Sequence, residues 1–102
     1  MEMTYSLQEP DAAAVLINID THDINDLPEN LQGSLILTYG MNKKADITIS
    51  GYFGGSVSIC VQRAFVSLCG EVCYPHEIPI PTDDPLQTLA DTAAALAISA
   101  TV

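Results

Sequence analysis

Apolar and polar positions alternate most cleanly between residues 45 and 62, and this stretch predicts the centre of a β-sheet. In Ala45–Tyr52, Ile47 and Ile49 fall on one face and Asp46, Thr48 and Ser50 on the other, the period of two that a half-buried strand requires. Ser56–Gln62 repeats the pattern with Val57, Ile59 and Val61 inward. Gly54 and Gly55 lie between the two runs. They predict a tight hairpin, because the favoured two-residue turns need positive φ. Ser34–Tyr39 is rich in β formers, ends at Gly40 and is followed by a turn over Met41–Lys44. Met3–Leu7 alternates and predicts a short edge strand.

Two stretches are ambiguous. Ala12–Ile19, opened by Pro10 and Asp11, reads as a short helix, since alanine and leucine favour helix and Pro-Asp suits a first turn. Val15, Ile17 and Ile19 alternating with Leu16 and Asn18 keep a strand of four or five residues as the alternative. Beyond Arg63 the alternation changes phase, so that Ala64, Val66 and Leu68 fall on the face of Ser56 and Ser58. A bulge near Arg63 would restore the face. A helix would instead align Val57, Cys60, Val61, Ala64, Phe65 and Leu68, but β-branched content and the Gly-Gly tip favour strand. Gly70-Glu71 predicts a turn before Val72-Cys73-Tyr74. Pro75, Pro79 and Pro81 then make the segment to Pro81 an edge strand or extended arm, since each proline removes a ladder donor.

The C-terminal helix is the clearest element. Asp84 is a good N-cap, Pro85 suits the first helical position, and Gln87 follows three residues after the cap. Leu86, Leu89, Ala90, Ala93, Leu96, Ala97 and Ala100 form one face, with Asp83, Asp84 and Asp91 near the start, where the dipole favours carboxylates. Residues 93–100 are apolar nearly all round, which asks for cover from the sheet and from a second subunit. The fold class expected is α+β in a single domain over 1–102: an antiparallel meander of about four strands against the C-terminal helix, with the short N-terminal helix at 12–19.

Composition narrows the function. Thirteen acids face three bases for a net charge of −10, and the bases are confined to the middle of the chain: residues 1–31 carry −7, residues 32–70 carry +2 and residues 71–102 carry −5. An apolar content of 48% excludes a disordered acidic tail, and 102 residues suffice for one core. Direct nucleic-acid binding is excluded, because three bases cannot supply the phosphate contacts it needs. No apolar run approaches the ~18 residues of a membrane span. Met1–Thr4 has neither a basic nor an apolar leader. With an odd number of cysteines, Cys60, Cys69 and Cys73, this predicts reduced thiols in the cytoplasm.

No catalytic constellation emerges, and no enzyme activity or cofactor is expected. Cys60, Cys69, Cys73 and His76 match a structural zinc set by residue type, but their spacing, C-x8-C-x3-C-x2-H, lacks a paired C-x2-C knuckle. A small zinc module is therefore an alternative rather than the main reading, and no metal ligands are assigned. A cysteine nucleophile would need a histidine beside it, and nothing in the sequence places His22 or His76 there. Asp20, Asp23, Asp26 and Glu29 lack the order of a calcium loop, and Gly54-Gly55 lacks the remainder of a phosphate loop.

What remains is surface. Residues 20–33 form the one long polar segment, and long loops are where function concentrates. Its acids Asp20, Asp23, Asp26 and Glu29, with the apolar Ile24 and Leu27, are the expected partner-binding residues. Glu77, Asp83 and Asp84 make a second patch. In size, acidity and want of a catalytic motif the chain resembles the small phage-encoded anti-defence inhibitors, anti-CRISPR proteins and DNA mimics among them. The resemblance lies in overall character and carries over no site. It implies a non-enzymatic inhibitor that blocks a basic groove on a host protein, such as a nucleic-acid-binding protein. The alternative is a self-associating assembly subunit, dimerising through the C-terminal helix.

Overall fold

The alternating runs identified above become strands, and so does the ambiguous N-terminal run. The computed structural model describes residues 5–9, 12–21 and 35–99. Its elements are β1 (Tyr5–Glu9), β2 (Ala12–Asn18), β3 (Leu35–Tyr39), β4 (Ile47–Phe53), β5 (Ser56–Val61), β6 (Phe65–Val66), β7 (Val72–Cys73), β8 (His76–Pro81) and α1 (Pro85–Ile98). Six strands form one sheet in the order β1-β2-β3-β4-β5-β8, while β6 and β7 pair separately. The class is α+β, as expected, but the sheet is mixed rather than an antiparallel meander. β2 and β3 pair in parallel, as do β3 and β4, and the remaining pairs are antiparallel.

The short N-terminal helix is replaced by β2. The reason is tertiary: β2 lies between β1 and β3 and is buried on both faces, with Ala14 and Leu16 toward α1 and Val15 and Ile17 on the other side. A strand covered on both faces reads as a continuous apolar run, which periodicity cannot separate from a helix.

The two halves of the sheet meet at a narrow joint. β3 and β4 share the single pair Tyr39↔Ile47, so β4 begins beside the end of β3. The Asp46 side chain extends this joint. Its Oδ2 accepts the Thr38 N–H at 3.0 Å and the Thr38 hydroxyl at 3.1 Å, while Asp46 N–H donates to Thr38 Oγ1 at 2.9 Å. Beside the joint, where β2 and β3 end, Asp20 Oδ2 accepts the Met41 N–H at 2.6 Å. Gly40, at φ +153°, lies so near Asp20 that an added Cβ would stand 2.8 Å from Oδ1. The glycine is required there by both backbone and space.

The β4–β5 hairpin turns at Gly54 and Gly55, with φ of +63° and +75°. A register shift lies between Ile49 and Gly51, not near Arg63. The phase change beyond Arg63 has another cause: β5 ends at Val61, and the chain leaves the sheet to form the β6–β7 ribbon. No helix forms over 56–68. Ser67–Gly70 then seals the end of α1. Leu68 and Cys69 donate their N–H groups to Ala97 O and Ile98 O, satisfying carbonyls that the helix itself leaves open.

At the other end of α1, Asp84 is the N-cap, accepting the Gln87 N–H, and Pro85 opens the helix. The helix lies on β2–β5, burying Leu89, Thr92, Ala93, Leu96 and Ala97 against Leu37, Ile47, Val57, Ile59 and Val61. Leu86, expected on this face, is exposed because it precedes the first helical turn that reaches the sheet. Asp91 lies in the second turn, where Gln87 Nε2 donates to it. Ala100 is outside the described residues.

β8 is an edge strand, as its prolines require. The Thr82 N–H reaches Gly55 O. By alternation the amides of Ile78 and Ile80 face β5, and the nitrogens of Pro79 and Pro81 face the open edge. That edge therefore offers few donors to an incoming strand.

Candidate functional site

All three bases gather beside the β3–β4 joint. The Arg63 guanidinium donates from Nη1 to Lys44 O at 2.8 Å and from Nη2 to Lys43 O at 3.2 Å. It also forms the one ion pair among the described residues, with Asp46 at 3.3 Å. The sequence confines the bases to the middle of the chain, and the fold brings them to one corner.

The candidate acids are dispersed. Asp20 is committed to the Met41 N–H. Asp23, Ile24, Asp26, Leu27 and Glu29 lie outside the described residues. Glu77 and Asp83 stand at opposite ends of β8, about 20 Å apart at ~3.3 Å per residue, so the second acidic patch is split. Glu77 accepts from Ser50 Oγ. Asp84 is occupied by the helix cap, and Asp83 is exposed beside it.

The thiols do not converge either. Cys73 is buried in the core, and burial pushes its thiol above the usual value. Cys60 is half-buried on the face of β5 turned away from α1, and Cys69 is exposed at the end of α1. His76 is exposed, with Nδ1 against Tyr74 O. Among the described residues no group of three or more His, Cys, Asp or Glu side chains is placed to hold a metal ion. The zinc alternative therefore has no geometric support there.

Two features of the sheet face opposite α1 escaped the sequence reading. The first is a hollow of about 320 Å³ whose walls include Met41, Lys43, Thr48, Ser50, Cys60 and Gln62. The second is the hairpin tip, where Phe53 is 91% exposed; its neighbour Tyr52, paired with Val57, is on the α1 side. The sequence hid the tip: the alternation of Ile47 and Ile49 puts Phe53 on the core side, and the register shift between Ile49 and Gly51 moves it to the opposite face.

Thr82 braces this tip. Its N–H donates to Gly55 O at 2.9 Å and its carbonyl accepts the Tyr52 hydroxyl at 3.1 Å. Its own hydroxyl accepts from Thr88 Oγ1 and the Asp84 N–H. The tip, the end of β8 and the start of α1 are thus one bonded unit, with Asp83 beside it. Rigid presentation of an aromatic side chain lowers the ordering cost of burying it in a partner.

Comparison of the chain with protein-family models, curated proteins and solved structures finds no match. Among the described residues no helix is long and apolar enough to cross a membrane.

Proposed function

We propose that this chain is a non-enzymatic binding protein that docks acidic and apolar side chains on a basic surface of another protein and blocks it. The observation that supports this reading is charge segregation. The bases occupy one corner, and there Arg63 is turned onto Asp46 and the backbone of its own chain. Glu71, Glu77, Asp83, Asp84 and Asp91 have no cationic partner among the described residues. With a net charge of −10, most of the surface is left to attract cationic proteins and repel phosphates.

The described acids do not form one patch, so the contact set centres on Asp23, Ile24, Asp26, Leu27 and Glu29. A protein whose own ligand is nucleic acid has the complementary surface, and occupying it would make this chain an anti-defence inhibitor of the phage type. The three free thiols suit a reducing, cytoplasmic setting.

The test is capture on the immobilised chain at low ionic strength followed by a salt gradient, with D23K/D26K as comparison. The reading expects basic proteins that elute as salt rises and are lost to the variant at unchanged melting temperature. An identical captured set on the variant would refute it.

A further inference from the structure

We infer that the β4–β5 tip is the anchor by which this chain holds a protein partner: Phe53 inserts into an apolar pocket of that partner, and the acids at the start of α1 pair with lysine or arginine around the pocket. The inference rests on the basic partner proposed above and adds a contact centre outside residues 23–29.

The first observation is the register shift in β4. Ile47 and Ile49 face α1, and strict alternation would carry Phe53 to the same side. The shift between Ile49 and Gly51 reverses the order, so that Tyr52 pairs with the buried Val57 and Phe53 pairs with Ser56 on the other face. A phenyl ring that alternation would bury is thereby almost wholly exposed. Re-aiming a side chain in this way is a recurrent use of bulges.

The second observation is rigidity. Gly54 and Gly55 close the turn at positive φ. Thr82 ties that turn to the Tyr52 hydroxyl and to Thr88 of α1. Phe53 therefore has only its own two side-chain torsions to fix on entering a pocket, so little freedom is lost for a large apolar contact.

The third observation is charge. The Thr82 N–H bonds Gly55, and Asp83 and Asp84 follow it directly. The Asp84 carboxylate is held at the first turn of α1 by the Gln87 N–H. Ile47, at the joint where the three bases gather, is about 20 Å from Phe53 along β4 at ~3.3 Å per residue. Glu77 stands level with Cys60, toward the same far end. At physiological salt, exposed charges are screened beyond ~8 Å. The acids joined to the turn through Thr82 thus set its local field, and that field selects a pocket with a cationic rim. A second copy brings the same acids to its own tip, and phosphates are repelled. Leu86, exposed in the first turn of α1, adds apolar surface at the same end.

The full chain carrying p-benzoyl-L-phenylalanine at position 53, irradiated in cell lysate at low ionic strength, tests the inference. Circular dichroism verifies the folding of each variant. The crosslink is expected on an apolar residue of a basic protein, with lysine or arginine on the surface around the attachment site. With that protein purified, surface plasmon resonance should show F53S dissociating about thirtyfold faster at a nearly unchanged association rate. D83N/D84S keeps a capping side chain and drops both charges, and should associate about fivefold more slowly with a weaker salt dependence. No crosslink from position 53, while the wild type captures basic proteins that D23K/D26K loses, overturns the inference and leaves the basic partner standing. So does F53S that dissociates as slowly as the wild type, or a crosslink in acidic surroundings. A partner held by D23K/D26K and released by F53S supports the tip and refutes the contact at residues 23–29. Binding to phosphatidylcholine vesicles that F53S abolishes overturns the inference in favour of a lipid surface. No capture at all refutes both.

Discussion

Thr38 and Asp46 bond to each other through three hydrogen bonds across the β3–β4 joint, at 2.9, 3.0 and 3.1 Å. β3 and β4 share one backbone pair, so the Asp46 carboxylate stands in for the ladder that the strands do not form. Thr38 is buried. Removing the carboxylate would leave the N–H and hydroxyl of this buried residue without their acceptor. D46A is therefore expected to lower unfolding free energy by about 1–3 kcal/mol in urea denaturation. R63A removes a half-exposed ion pair and should cost less than about 1 kcal/mol. Equal losses in the two variants would show that the ion pair, and not the buried bonds, matters at the joint.

The helix cap gives a second expectation. Asp84 Oδ1 accepts the Gln87 N–H at 3.2 Å at the start of α1. D84A should cost about 1 kcal/mol. D84S should recover most of it in thermal melts, since serine accepts the same bond. An Asp84→Ser variant no more stable than D84A would assign the effect to charge instead of capping.

Cys73 makes stability depend on pH at the alkaline end. Burial raises its thiol above the value of the unfolded chain, so in alkali the unfolded state loses this proton first. The stability contribution is complete below the unfolded pKa of about 8.5 and declines as pH rises beyond it. The melting temperature of the wild type should therefore fall more steeply between pH 8 and 10 than that of C73A, all titrations being read against the same buffer series. Parallel slopes would contradict the assignment. In the native protein, iodoacetamide should modify Cys69 first and Cys73 last.

The open edge of β8 is guarded by missing donors. Pro79 and Pro81 turn their nitrogens outward, so P79V/P81V restores two N–H groups to an exposed strand while leaving the β5–β8 pairs intact. Light scattering of this variant is expected to grow with time and concentration into large species. A variant that remains as dispersed as the wild type would mean that something other than proline protects the edge.

The buried Ser67 hydroxyl has no hydrogen-bond partner among the described residues. S67A should be neutral or stabilise the fold by up to about 1 kcal/mol in urea denaturation, because the unfolded chain no longer gives up a solvated hydroxyl. A clear loss would reveal a bond made by that hydroxyl.

Local chemistry decided several features at the level of sequence. The Gly54-Gly55 hairpin, the inward set Val57, Ile59 and Val61, the Asp84-Pro85 start of α1 and the proline-bearing edge at β8 are each written in a few adjacent residues, since turn geometry, alternation and capping are short-range effects. The acidic balance is likewise a property of the chain alone. Tertiary structure decided the rest. Ala12–Asn18 becomes a strand because neighbours on both sides take its backbone bonds and both its faces are buried, conditions no local pattern contains. The parallel joint, the gathering of Lys43, Lys44 and Arg63 at one corner, the separation of Glu77 from Asp83 and the sharing of one face by Phe53 and the hollow all depend on which strands lie side by side. That choice is set by burying the whole apolar surface at once, so it belongs to no single segment.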